Sequence, residues 1–147
     1  MTDLTQAEAD ALLAMAKRVS EDTVYRLPLS GGKLSIPLES IDGKEAFTLD
    51  ATRGRINVLK GTYQHRGRSV VVLARLDFGG APHRNPDEVE VATPHIHLYR
   101  EGYGDKWAYP LPPEHFPAPE NRSDLLNAFL RYCNIVDPPR FDRDLFE

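Results

Sequence analysis

Three side chains able to move protons or bind metal occupy alternate positions of one short segment: His95, His97 and Tyr99, within PHIHLYREGYGDKW at residues 94–107. Successive side chains of an extended strand point to opposite faces, so Ile96 and Leu98 share one face and the two imidazoles and the phenol share the other. The outward face of a half-buried strand is ordinarily filled by Thr, Lys, Glu or Gln. Folding does not require this trio there, which marks the row as a candidate site.

Two chemistries suit these residues. Cleavage of RNA through its own 2′-hydroxyl needs a base, an acid and cations on the phosphate, and histidine serves both proton transfers near neutral pH. His95, His97, Tyr99, Arg100 and Lys106 are the candidate catalytic groups. Arg66, Arg68, Arg75, Asp77, His83 and Asn85 are the candidate ligand-binding groups, brought in if the basic hairpin adjoins the His strand and the preceding loop folds back. The likeness to small ribonuclease toxins is one of architecture alone. The alternative chemistry is metal binding: His95, His97 and Glu101 have the HxHxxxE spacing of cupins, and His83 becomes a further nitrogen ligand if the loop covers the strand. The glycine that normally follows that motif is replaced by Ala108, and no convincing second motif with a further His lies downstream.

The elements that must position these residues follow from the pattern of the 147-residue chain, a length that suits one domain, 1–147. Thr5 and Glu8 have capping-box spacing, and an apolar stripe through Leu12, Leu13, Met15 and Ala16 predicts a helix ending near Val19. Apolar runs punctuated by glycine predict strands over 24–29, 33–36, 45–50, 54–60 and 69–77. Residues 78–93 read as a long functional loop, the His strand follows, and 106–111 return beside it. Residues 110–119 form a Pro-rich connector, and a last helix is predicted over 123–135. The expected fold is a single α+β domain, a curved antiparallel sheet of hairpins flanked by an N-terminal and a C-terminal helix.

Charge is uneven. Residues 51–76 contain six Lys or Arg and no Asp or Glu, so that segment carries +6 in a chain of net −4 and leaves −10 for the rest. Such a stripe meets phosphate, or acidic surfaces such as the run 87–90 and the tail 142–147. One cysteine, Cys133, excludes an internal disulfide and a Cys-based zinc cluster. With no cationic leader and no long apolar run, a cytoplasmic protein that does not enter membranes is expected.

The segments LTQAEAD near the start, FTLD at 47–50, ARLDFGGAPHRNPD at 74–87 and PHIHLYREGYGDKWAYPL at 94–111 resemble a family of short bacterial and phage proteins known only as a domain of unknown function. The resemblance implies a bacterial, cytoplasmic setting, often in mobile elements, and brings no activity. Glu88 stands where relatives have the glycine of an NPDG turn. The leading expectation is a His/Arg site acting on a phosphate-bearing ligand such as RNA, without a cofactor. The alternative is a non-enzymatic protein that binds and blocks a host or defence protein, through an aromatic row of Tyr99, Tyr103, Trp107 and Tyr109 with neighbouring Arg.

Overall fold

The structure is a computed structural model that describes residues 3–57 and 59–142. Helix α1 (Gln6–Ala14) starts at the expected capping box: Thr5 Oγ1 accepts from the Glu8 N–H, and the Glu8 carboxylate accepts from the Thr5 N–H. It stops short of Val19 because Lys17–Val19 leaves as strand β1. Strand β2 (Val24–Tyr25) is brief, and β3 (Lys33–Ser40), β4 (Ala46–Arg53), β5 (Gly61–Gly67) and β6 (Val71–Phe78) form the antiparallel centre. Two short strands, β7 (His83–Arg84) and β8 (Glu90–Val91), pair within the expected loop. Then come β9 (His95–Leu98), β10 (Ala108–Pro110), helix α2 (Arg122–Tyr132), β11 (Ile135–Asp137) and β12 (Arg140–Phe141).

Eight strands make one sheet in the order β10-β9-β6-β5-β4-β3-β1-β11, antiparallel except where β1 meets β11, and β12 pairs with β2 in parallel. The domain is α+β, as the strand and helix patterns implied. Where a strand was expected at 54–60, residues 54–57 and 59–60 form a turn, and Val58 lies outside the described residues. The Asn57 carbonyl accepts from Lys60 N–H, its side chain accepts from Leu59 N–H, and Gly54 approaches so closely that a Cβ there would lie 2.3 Å from the Asn57 carbonyl oxygen. Most of the acidic tail, 143–147, lies outside the described residues. No helix among the described residues is long and apolar enough to cross a membrane.

Register gives the sheet two unlike faces. Ile36, Leu49, Ala51, Tyr63, Leu76 and Ile96 share one face and pack into the core with Leu125, Leu126 and Phe129 of α2 and Leu12 of α1. The other face carries a polar ladder across neighbouring strands. Ser35 pairs with Asp50, Asp50 with Gln64, Gln64 with Arg75, and Arg75 with His97; one step along, Thr62 pairs with Asp77 and Asp77 with His95. Asp50 is almost fully buried in that ladder. Burial opposes its ionisation, but hydrogen bonds from Arg66, Ser35 and Gln64 outweigh it and hold the carboxyl below the usual range.

Candidate functional site

The polar face is covered where it meets β9. Residues 79–94 fold across it, so His95 and His97, expected on an open surface, are 2% and 0% exposed. Gly79 and Gly80, both at positive φ, allow the fold-back: a Cβ on Gly79 would lie 2.4 Å from the Leu59 carbonyl oxygen. The loop carries His83 onto the two imidazoles, its ring centroid 4.6 Å from that of His97 and 6.1 Å from that of His95.

The backbone dictates the tautomers. His95 Nδ1 lies 3.1 Å from the Val91 carbonyl and His97 Nδ1 lies 2.8 Å from the Asp105 carbonyl. A carbonyl only accepts, so both Nδ1 atoms carry hydrogen and donate. Each neutral ring therefore presents an Nε2 lone pair, and both Nε2 atoms lie 3.3 Å from the same atom, Asp77 Oδ2. The other carboxylate oxygen is held from behind, accepting from Thr62 Oγ1 at 2.9 Å and facing Arg75 Nε at 3.3 Å. Burial opposes the charge on Asp77, but His95 and His97, wherever their Nε2 atoms carry a proton, together with the Arg75 cation and Thr62, hold its carboxyl well below the usual range.

Arg75 spans the cluster. Nη1 donates to Asp105 Oδ2 at 2.8 Å, and Nη2 lies 3.0 Å from His97 Nε2, to whose lone pair it donates. His83 Nε2 donates to the Lys106 carbonyl at 2.8 Å, leaving Nδ1 as its lone-pair nitrogen. A polar cavity of about 330 Å³ opens beside Asp77 and His95, walled also by Lys60, Thr62, Arg75 and His83.

Several candidates lie elsewhere. Tyr99 does not continue the row. The strand ends at Leu98, and the phenol is buried on the core side, accepting from Leu4 N–H and donating to the Leu4 carbonyl, both at 2.7 Å. Arg100 lies over the Trp107 ring at 4.2 Å, with Tyr103 edge-on to that ring. Lys106 reaches the cluster only through its carbonyl, and its side chain is exposed. Glu101 accepts from Gln6 N–H at 2.8 Å, because the turn at Gly102 and Gly104, closed by the Arg100 bridge to Gly104, takes it away from the imidazoles. The HxHxxxE set is therefore not formed; Asp77 stands where Glu101 was expected.

The basic hairpin does not converge on the site either. Arg66 is paired to Asp50 at 2.7 Å and Arg68 to Glu45 at 3.3 Å. His65, on the same strand, faces the core, stacked on Phe47, where burial and then the Lys17 charge push its pKa down to about 3. Asn85 is buried, its side chain bonded to both N–H and C=O of Ala108, where it caps the outer edge of β10. Thr62 and Asp105 are site residues that sequence reasoning missed. Thr62 stands on β5, Gly61–Gly67, where no strand was expected because the apolar run falls at 54–60, and Asp105 looked like an ordinary turn residue in GYGDKW.

Among the described residues, Asp77, His95 and His97 are the one group whose ligand atoms, all within 4.8 Å of one another, could hold a metal ion. A family model described as Family of unknown function (DUF6978) matches residues 4–135, so the chain belongs to that family. No curated protein and no solved structure matches it.

Proposed function

We propose that this member of a family of unknown function binds one divalent first-row transition ion, of the zinc type, through Asp77 Oδ2, His95 Nε2 and His97 Nε2, and uses it for hydrolysis. The observation that carries the reading is the convergence of three acceptor atoms with no proton of their own between them. Ligand atoms about 2 Å from a tetrahedral ion stand about 3.3 Å apart, and both Nε2–Oδ2 separations are 3.3 Å. At His95 either the ring takes a second proton or a cation takes that proton's place, and at His97 an incoming cation would displace the Arg75 Nη2 donor. The surroundings favour the cation: both Nδ1–H groups are fixed on backbone carbonyls and the second oxygen of Asp77 is held by Thr62, the arrangement that orients metal ligands.

Charge favours it as well. Arg75 is matched by Asp77 and Asp105, so with neutral rings the inner cluster carries one net negative charge, which suits a cation better than a bare phosphate. Three protein ligands leave a coordination position for water, whose pKa the ion lowers to roughly 7. Bound there, the ion would supply a water acidic enough to attack an electrophilic phosphorus or carbonyl carbon near neutral pH, the leaving group taking up the water's proton as its bond breaks.

A second reading keeps the same residues without a metal. In it the Nη2 contact to His97 supports an Arg75-assisted pair of imidazoles that cleaves RNA by acid–base catalysis. One experiment separates the two. Protein stripped with a chelator is titrated with Zn²⁺ and Co²⁺ and then incubated with end-labelled RNA and a panel of phosphate and carboxylic esters, with and without EDTA. One tight equivalent, lost in Asp77→Asn and in His97→Ala but kept in Glu101→Gln, is the expected result. Unchanged affinity in Asp77→Asn sinks the metal reading, and RNA cleavage that survives EDTA but disappears in His97→Ala establishes the second.

A further inference from the structure

We infer that the ligand of this centre is a small phosphate-bearing molecule, held between the metal ion and Lys60; the inference rests on the metal reading above and names the substrate class it serves.

Lys60 was counted in the basic stripe as one charge among six, yet its placement differs from that of its neighbours. Arg66, Arg68 and Arg75 have carboxylate partners; Arg53, Arg55 and Lys60 make no ion pair among the described residues, and of these three Lys60 is the one beside the site. It stands on the wall of the same cavity that opens over Asp77 and His95. Its stem lies across Gly80: a Cβ on that glycine would meet Lys60 Cδ at 3.2 Å and Cε at 3.3 Å. The stem of this exposed side chain thus runs beside the loop that carries His83.

The charge count makes anion binding conditional on the metal. Asp77 and Asp105 balance Arg75 and Lys60 around the cavity, so the site without an ion attracts an anion little. A divalent cation raises the total to +2 and creates an anion site in a partly enclosed cavity.

The donor count favours phosphate over carboxylate. In the metal-loaded site the ion takes the His97 lone pair, so Arg75 keeps its contacts to Asp105 through Nη1 and to Asp77 through Nε, and Nη2 is released. The ion, Lys60 and Arg75 thus offer three separate attachments, which match the three terminal oxygens of a phosphate monoester and exceed the two of a carboxylate. A cavity of about 330 Å³ is at the lower end for small-molecule sites and suits a phosphate with a modest organic group.

The test is calorimetric titration of the full chain, loaded with one equivalent of Zn²⁺, with inorganic phosphate, a ribonucleoside 5′-monophosphate and acetate. Phosphate and the monophosphate are expected to bind the zinc form and not the metal-free form, with acetate at least about tenfold weaker. Lys60→Ala is expected to weaken phosphate binding roughly tenfold or more, the worth of one charge-assisted bond, with thermal unfolding unchanged because Lys60 is exposed and zinc affinity not reduced because a positive charge leaves the cavity wall. Lys60→Arg is expected to retain binding. Equal phosphate affinity in Lys60→Ala, equal affinity for acetate, or phosphate binding that needs no zinc overturns this inference and leaves the metal centre standing. Failure of zinc itself to bind overturns the centre and this inference together.

Discussion

Arg75 Nη2 lies 3.0 Å from His97 Nε2, on the one ring nitrogen that the Asp105 carbonyl leaves without a proton. The same guanidinium is anchored through Nη1 to Asp105 Oδ2. An incoming cation and Arg75 therefore compete for one lone pair, and Asp105 holds the arginine in place whichever of them has it.

The first prediction follows from that competition. Arg75→Gln removes both the rival for His97 and a positive charge beside Asp77, so Zn²⁺ affinity is expected to rise by about tenfold, the worth of roughly 1.4 kcal/mol. Competition against a chromophoric chelator measures it. A fall in affinity would mean that Arg75 supports the ligand set and does not oppose it.

Tyr99 separates structural from chemical roles. Tyr99→Phe strips partners from the Leu4 N–H and C=O, both bonded to the phenol in a buried setting, and is expected to cost about 2 kcal/mol of stability. Urea unfolding reads the loss. Zinc affinity at saturating folded protein is expected to be unchanged; a parallel loss of affinity would return Tyr99 to the site.

Lys17 sets an alkaline stability profile. Its side chain is fully buried, with Nζ donating to the carbonyls of Leu13 and Cys133, and burial lowers its pKa from 10.5 to about 8. Between those two values the unfolded chain holds a proton that the folded chain has released, so Lys17 makes stability rise with pH from about 8. The buried Cys133 thiol, pushed up from 9.0 to about 12, acts with the opposite sign from about pH 9, so the net rise lies between about pH 8 and 9 and amounts to about 1 kcal/mol. Lys17→Met is expected to remove that rise, as followed by denaturant unfolding from pH 7.5 to 9; a rise that persists in the variant would assign it to another group.

Asn85 guards an edge. Its amide occupies both backbone groups of Ala108, and Pro110 two residues on has no N–H, so β10 offers little to a further strand. Asn85→Leu leaves a buried N–H and C=O unpaired, a loss of about 2 kcal/mol, and frees the edge. Lower stability together with concentration-dependent association in light scattering is expected; a variant as stable and monodisperse as the parent would show that the cap is dispensable.

The alternation at residues 95–98 determined that two imidazoles share a face, because side-chain direction in a strand depends only on parity. The capping box at Thr5 and Glu8, the apolar stripe of the last helix and the α+β class were legible for the same local reason. Parity ends where the strand does, so Tyr99 could not be placed by it: after Leu98 the chain leaves β9 and the phenol turns to the core. Nor does spacing along one strand say what stands on the next. The carboxylate at the centre is Asp77 and not Glu101 because β6 pairs with β9 in a register that puts Asp77 opposite His95 and Arg75 opposite His97. That register depends on contacts between segments about twenty residues apart. The fold-back of 79–94 likewise decided that the imidazoles are buried, that His83 meets them and that Lys60 reaches the same cavity, since loop closure is governed by what the loop packs against and leaves no periodic trace in the residues that make it.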